Sequence, residues 1–392
     1  MAAAVFVVFS GFAFVLPFLP LFVRELGVRD DGSAALWAGV LIGVSPLLAG
    51  GLAPVWGHLG DRYGQKRMAL RALAAYVVLL ALGAAVRSVA DLLVLRIGVG
   101  LFGGIGPLGL SMATAQAPRE ETGRAVGLVQ AAQILAAAVG PFAGGVAAHF
   151  VGFRGTFVAA AAVCLAAFLL VLLLYRDSPS RSASSPWSAG ASFKEILRLR
   201  RVPFLLGTLF LVNFVGRSFT PILPLHLREL GVAPDRLAVG TGLLISAYAV
   251  SAAASAAGLG RLSRRVSPAL LLAWSLLAGA VFVFPMARVP TFPPLLLLAM
   301  LLGLASGGAL TLCYTLGGRS VPSETRATAY GFFSGAALFG GAISPSIAGL
   351  LAHYELRAIY YVNAAIFVVL AAAVALRATS LGAVDTSRSE AS

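Results

Sequence analysis

Charge is what this sequence lacks. Of its 392 residues only 11% are Asp, Glu, Lys or Arg, and 59% are hydrophobic, whereas a soluble domain keeps roughly 25% charged residues to cover its surface. A chain so poor in polar groups cannot cover itself in water, so lipid is its expected outer solvent. Cysteine is nearly missing too. Cys164 and Cys313 both lie inside apolar runs, with no CxxC pair and no His/Cys cluster, so neither a disulfide framework nor a metal site is implied. Gly103-Gly104-Ile105-Gly106 lies in an apolar run and is followed by no Lys-Ser/Thr, which removes a phosphate-binding loop for ATP. No cofactor is expected, and nothing points to an enzyme. The first apolar run has no basic n-region and no A-x-A-like cleavage site, so it reads as a retained span rather than a signal peptide. The net charge of +14 suggests nucleic acid at first. That reading fails, because the basic residues sit in short loops between apolar runs and form no patch of their own.

A membrane-spanning helix needs about 20 predominantly apolar residues. Twelve such runs occur, at 3–23, 35–56, 68–86, 92–114, 124–149, 155–175, 203–226, 237–259, 268–287, 294–317, 327–352 and 357–377. One long polar stretch, 176–201, separates spans 6 and 7. Its Ser/Pro-rich first part reads as a flexible linker, and 193–198 as a short amphipathic helix on the membrane surface. The expected organisation is therefore an N-terminal six-helix bundle (1–175), a cytoplasmic linker (176–201), a C-terminal six-helix bundle (202–378) and a disordered tail (379–392). Counting residues at span ends with the adjoining loop, 19 Lys and Arg fall on one side, 8 on the other and 2 within spans. The positive-inside rule then places both termini in the cytoplasm. The basic loops also predict contact with anionic lipid headgroups.

The chain repeats itself. The segment from Pro17-Phe18-Leu19-Pro20 to Arg24-Glu25-Leu26-Gly27-Val28 matches that from Pro221-Ile222-Leu223-Pro224 to Arg228-Glu229-Leu230-Gly231-Val232, at an offset of 204. The same offset superposes Gly103 on Gly307, Pro118 on Pro322, Gly127 on Gly331, Pro141 on Pro345, Gly145 on Gly349 and His149 on His353. An offset of six helices means two halves of the same topology, related by an axis along the membrane normal.

Several local patterns stand out. The loop after span 2 reads Gly57-His58-Leu59-Gly60-Asp61-Arg62-Tyr63-Gly64-Gln65-Lys66-Arg67. Its glycines permit a tight turn, Asp61 can meet the positive end of a neighbouring helix, and its basic residues hold the loop at the headgroups. Span 4 holds Arg96-Ile97-Gly98-Val99-Gly100, and an arginine inside a span either faces the bundle interior or snorkels to the surface. Span 5 holds Gly140-Pro141-Phe142-Ala143-Gly144-Gly145, where the proline kinks the helix and the glycines allow close packing. Asn213 and Arg217 share a face of span 7 at i, i+4. Arg217 lies too deep to reach either surface, so it must face water, a partner or a ligand. One reading is a residue that attracts an anionic or acceptor-rich group; the other is a structural donor to carbonyls freed near Pro221. Further polar groups for a substrate cavity are Gln130, Gln133, Ser246, Tyr248, Ser306, Thr311 and Tyr314. Phe6, Phe9, Phe12 and Phe14 could line an apolar pocket or simply pack. His149 and His353 end spans 5 and 11, where repeat symmetry alone accounts for the pair. No Asp or Glu lies in the middle of any span, which leaves Asp61, Glu25 and Glu229 as candidates for proton linkage.

The duplicated halves and the loop from Gly57 to Arg67 closely resemble the major facilitator superfamily, whose signature there is G-x-L-a-D-r-x-G-r-k. Arg96 and Gly100 resemble the family's second motif, without its usual glutamine. Gly140, Pro141, Gly144 and Gly145 resemble its antiporter motif, with Ala136 where a glycine is usual. The resemblance is to the twelve-span drug:proton antiporter branch. It implies an all-α fold of two pseudo-symmetric six-helix bundles, a conformational latch at Gly57, Asp61, Arg62, Gly64, Lys66 and Arg67, and a central cavity lined by spans 1, 4, 7 and 10. It implies a monomer of the inner membrane that exports small hydrophobic or amphiphilic compounds by alternating access, coupled to protons. Two other readings stay open at this point. One is a transporter of a specific anionic metabolite or amphiphile held by Arg217, with or without coupling to protons; the other is a non-transporting sensor or assembly partner.

Overall fold

A computed structural model describes residues 2–103, 112, 122–175, 199, 201–321 and 326–377, apart from the side chains of 2, 54, 57, 61, 122–127 and 326–328. The tail, Pro118, Pro322 and the linker other than residues 199 and 201 therefore lie outside the described residues. Among the described residues every regular element is helical. In chain order these are α1 (Ala2–Val15), α2 (Leu19–Glu25), α3 (Asp31–Tyr63), α4 (Gln65–Gly83), α5 (Val89–Leu101), α6 (Thr122–Leu174), α7 (Val202–Ser218), α8 (Leu223–Glu229), α9 (Leu237–Leu262), α10 (Pro268–Met286), α11 (Phe292–Ser306), α12 (Ala309–Ser320), α13 (Arg326–Tyr354) and α14 (Ala358–Leu376). Eight helical stretches among them are long and apolar enough to cross a membrane, or nine if α7 and α8 form one bent span.

The breaks follow from backbone chemistry. Proline lacks the N–H that a helix interior needs and clashes with the carbonyl four residues back. Pro17 accordingly sits within a 3-10 turn, Leu16–Phe18, between α1 and α2, and Pro20 lies in the first turn of α2. Their repeat equivalents Pro221 and Pro224 separate α7 from α8, which bend by 43°. Gly64 ends α3 at φ 95 while its N–H closes on the Gly60 carbonyl at 3.0 Å. Only glycine adopts that conformation without strain, so the chain turns straight into α4. The two expected spans 124–149 and 155–175 meet at a single non-helical residue, Gly152, within α6. Polar caps start the others: Asp30 accepts from Ser33 N–H at 2.7 Å to begin α3, and Ser88 with Asp91 forms a reciprocal capping box on α5.

Large apolar side chains remain exposed along these helices, among them Leu173, Leu174, Val369 and Leu376. In water such a surface would aggregate; in lipid it is the outer wall. The molecule is a multi-pass membrane protein.

Two compact units divide the chain. The first comprises Met1–Ala183, Thr220–Ser246 and Pro345–Leu356; the second comprises Ser184–Phe219, Ala247–Ser344 and Arg357–Ser392. In the first unit α1 packs along α6, and Phe18 stacks on Phe153 with ring centroids 5.1 Å apart. In the second, α10 packs against α14 and α11, and α7 is held by α12 and α14. There Phe219 stacks on Tyr360, and Asn363 donates to the Ser218 hydroxyl at 2.7 Å in a buried contact.

Candidate functional site

The connection between α3 and α4 is a tight corner with basic flanks. Gly57 lies within α3 and Gly64 makes the corner. Arg62 sits over the Tyr63 ring at 5.4 Å, and Arg67 is exposed. Lys66 donates to the Tyr175 carbonyl at 2.5 Å, which ties the start of α4 to the end of α6. The side chain of Asp61 lies outside those described. Further along α4, Arg71 was unmarked in the sequence, yet its guanidinium lies 3.7 Å over the Trp56 ring with its nitrogens buried.

Arg96 does not snorkel. Its side chain is buried, and Nε donates to the Leu41 carbonyl of α3 at 2.7 Å, while the Ser45 hydroxyl donates to the Arg96 carbonyl at 2.6 Å. Gly100 continues this seam, since a Cβ there would stand 2.8 Å from Ser45 O and Leu48 Cβ. Arg96 and Gly100 thus bind α5 to α3.

Gly140, Pro141, Gly144 and Gly145 form another seam. On one side Gly140 and Gly144 press on α1 at Ala13 and Phe14, and on the other Gly145 presses on the Ala238–Val239 backbone of α9. The Ser246 hydroxyl accepts the Phe142 N–H at 3.1 Å. Ser246 therefore ties α9 to α6. Gly39 on Pro345 and Gly349 on Ala35 make the repeat-related seam between α3 and α13.

At one end of the first unit charges gather that the sequence left unconnected. Asp31 accepts from both Arg24 and Arg228, the latter at 2.7 Å. These arginines are repeat equivalents. Glu25 lies 3.8 Å from Arg154, and Glu229 is exposed at the end of α8. His149 Nδ1 lies 2.8 Å from the Asp235 carbonyl, and His353 Nδ1 lies 3.9 Å from Asp30. The Ser33 backbone N–H chiefly, with His353 a minor contributor, holds the Asp30 carboxyl below its ordinary value. The offset of 204 could have linked Arg24 with Arg228, but no sequence signal shows that one aspartate serves both.

The second unit collects the remaining polar groups. Asn213 and Arg217 lie on one face of α7, and Tyr248 of α9 is within electrostatic reach of Arg217. The Tyr248 hydroxyl shares a hydrogen bond with Ser306. Ser306 also donates to the Leu302 carbonyl at 2.8 Å, which fixes it on α11. Arg217 is exposed to solvent although protein surrounds it at longer range. It therefore lies in a recess among the helices, with its head group uncovered. Among the described residues Arg217 makes no hydrogen bond or ion pair, so it is not the structural donor to carbonyls near Pro221. Thr311 is half-buried on α12. Tyr314 is occupied by its neighbours: it stacks on Tyr330 at 6.0 Å and reaches the Ser334 hydroxyl at 3.4 Å. Gln130 is exposed and Gln133 half-buried on α6, in the other unit. Of the nine candidate cavity residues, the structure brings together Asn213, Arg217, Tyr248 and Ser306.

Comparison with known proteins bears on this arrangement. The Major Facilitator Superfamily profile matches residues 1–268 and 206–391. The multidrug resistance protein MdtG of Proteus mirabilis (strain HI4320) is 30% identical over 359 residues, covering 91% of this chain and 89% of that protein. MdtG of Klebsiella pneumoniae (strain 342) is 32% identical over 360 residues, covering 91% and 87%. Among solved structures, a bacterial homolog of the human lysosomal transporter Spinster, in an inward-facing and unoccupied conformation, superposes with a TM-score of 0.76 at 17% identity, covering 97% and 95%. The nucleoside transporter NupG superposes with a TM-score of 0.73 at 16% identity, covering 96% and 97%. The two superpositions speak to fold alone.

Proposed function

The chain belongs to the major facilitator superfamily, and from that premise we propose that it is a secondary-active exporter of small hydrophobic or amphiphilic compounds in the inner membrane. The observation that carries the reading is the likeness to multidrug resistance proteins across nine-tenths of the chain, at 30–32% identity in the two relatives above. The proposal includes twelve spans in two six-helix bundles, both termini in the cytoplasm, a single-chain working unit in contact with anionic lipids, and alternating access driven by protons. The corner at Gly152 and the proline break between α7 and α8 support that span count. Outward transport is supported by the residues Gly140 to Gly145, which resemble the antiporter motif and here form a close helix seam.

A second reading is favoured by one observation. An unpaired, solvent-reached guanidinium with an amide and a phenol beside it suits an anionic or acceptor-rich solute, so Arg217 fits a transporter of a defined anionic amphiphile equally well. Proteoliposomes holding the purified protein under an imposed pH gradient decide between them. Gradient-driven movement of several chemically unrelated compounds supports the exporter. Movement of anions alone, with or without the gradient, supports the second reading, and no movement of any compound overturns both.

Asp61 is proposed to latch the loop between α3 and α4 in one transport state. Asp61→Asn deletes a helix-end charge interaction worth roughly 0.3–2 kcal/mol, enough to shift a state ratio several-fold without unfolding the protein. Transport at the wild-type rate in this variant would remove the latch.

A further inference from the structure

Gly340 and Gly341 are adjacent on α13 and have different neighbours. A Cβ on Gly340 would run into the backbone of Phe210 on α7, with Phe210 Cα at 3.0 Å. This is close helix packing. The three atoms nearest a Cβ on Gly341 are all side-chain atoms: Asn213 Oδ1 at 2.9 Å, Arg217 Cγ at 3.3 Å and Asn213 Cγ at 3.5 Å. The missing side chain of Gly341 is the space in which the two polar residues of α7 lie.

The internal repeat supplies a control. The α1–α6 contact in the first half is the counterpart of α7–α13 at the offset of 204: Gly140 faces Ser10 there, as Ser344 hydrogen-bonds to Phe214 here. At the same offset Gly341 corresponds to Ala137, Asn213 to Phe9 and Arg217 to Ala13. The first half thus packs the same helix pair with a Cβ in place of the glycine, so this packing does not itself demand a glycine. Gly341 departs from the repeat together with Asn213 and Arg217, and with Ser306, whose counterpart is Phe102. At these positions the second half carries polar groups where the first half carries apolar ones.

We propose that Gly341 is a specificity-determining residue of the transporter: it sets the reach of the Asn213 amide and the Arg217 guanidinium, and with it the preference for solutes that carry an anionic group. The inference rests on the reading of Arg217 as substrate-facing. A methyl group at position 341 presses on the Asn213 oxygen well inside van der Waals contact and on the Arg217 stem, so both side chains must swing off α13. The charge is kept but displaced, whereas Arg217→Gln removes it.

Two dyes with one skeleton separate these effects: 8-anilino-1-naphthalenesulfonate carries a sulfonate, and N-phenyl-1-naphthylamine does not. Uptake of each into everted vesicles is measured for wild type, Arg217→Gln and Gly341→Ala, together with the melting temperature of each purified protein. The expected result is a fall of about tenfold in the sulfonate-to-neutral uptake ratio for Arg217→Gln, as befits loss of a charge-assisted contact. For Gly341→Ala the same ratio should fall about three- to tenfold, with neutral-dye uptake and melting temperature kept. An unchanged ratio in Arg217→Gln overturns the substrate-facing reading itself. A changed ratio in Arg217→Gln beside an unchanged one in Gly341→Ala overturns only the role of Gly341. A Gly341→Ala protein that melts early and loses both dyes in parallel overturns that role as well, because Gly341 would then be a packing residue like Gly340.

Discussion

Arg217 and Arg96 carry the same charge inside the same apolar chain, and their surroundings divide their work. The Arg96 guanidinium is buried and spends its Nε–H on a backbone carbonyl, so it binds two helices. Arg217 is reached by solvent and spends none of its donors on the described protein. Substitution should separate them by readout. Arg96→Met is expected to cost about 1.5–3 kcal/mol of stability, the worth of a hydrogen bond to a charged group, visible as a lower melting temperature. Arg217→Lys keeps the charge but loses the planar fork that engages carboxylate, sulfonate or phosphate at two points. Affinity for an anionic solute should fall in the order Arg, Lys, Gln at constant melting temperature. Early melting of both Arg217 variants with unaltered solute preference would return Arg217 to a structural role. Asp30 gives a pH prediction. Its carboxyl is held below its ordinary value of 3.8, chiefly by the Ser33 backbone N–H. A lowered folded-state value means that the ionised cap stabilises α3 above 3.8 and is lost as pH falls through the folded value. The melting-temperature gap between wild type and Asp30→Ala should therefore be present at neutral pH and close below 3.8.

Among helices, glycine position decides what a substitution does. Gly145 on α6 lies against the α9 backbone, whereas Gly51 on α3 has open space around it. Gly145→Leu must push α6 off α9 and is expected to cost about 1–3 kcal/mol as overpacking, with transport lost. Gly51→Ala meets nothing and should be neutral or slightly stabilising, since alanine favours a helix by about 1 kcal/mol over glycine. Equal melting temperatures for the two variants would contradict the seam. The apolar helical stretches and the duplicated register could be read from the sequence, because both are patterns of the chain itself. Which glycine touches a neighbour could not. Gly51 and Gly145 are alike in sequence context, and only the packed helices tell them apart.

For the whole molecule, orientation is the open physical quantity. With nineteen basic residues on one side and eight on the other, the energetics of insertion favour a cytoplasmic linker. Single cysteines introduced at 176–201 should resist an impermeant thiol reagent in intact cells and react in everted vesicles. The two native thiols are both buried, so their background is low. Labelling in intact cells would reverse the topology. The sequence by itself determined that lipid is the solvent, that the chain is helical, that it is duplicated, and which family it resembles. Those properties are sums over many residues and survive any local detail. Only the tertiary structure decided that Ser246 serves a helix seam, that Asp31 joins two repeat-related arginines, that Tyr314 is tied to Tyr330, and that Gly341 makes room for Arg217. Each depends on a contact between residues far apart in the chain. A hydrogen bond or a missing Cβ acts over only a few ångströms, so its partner exists only once the helices are packed.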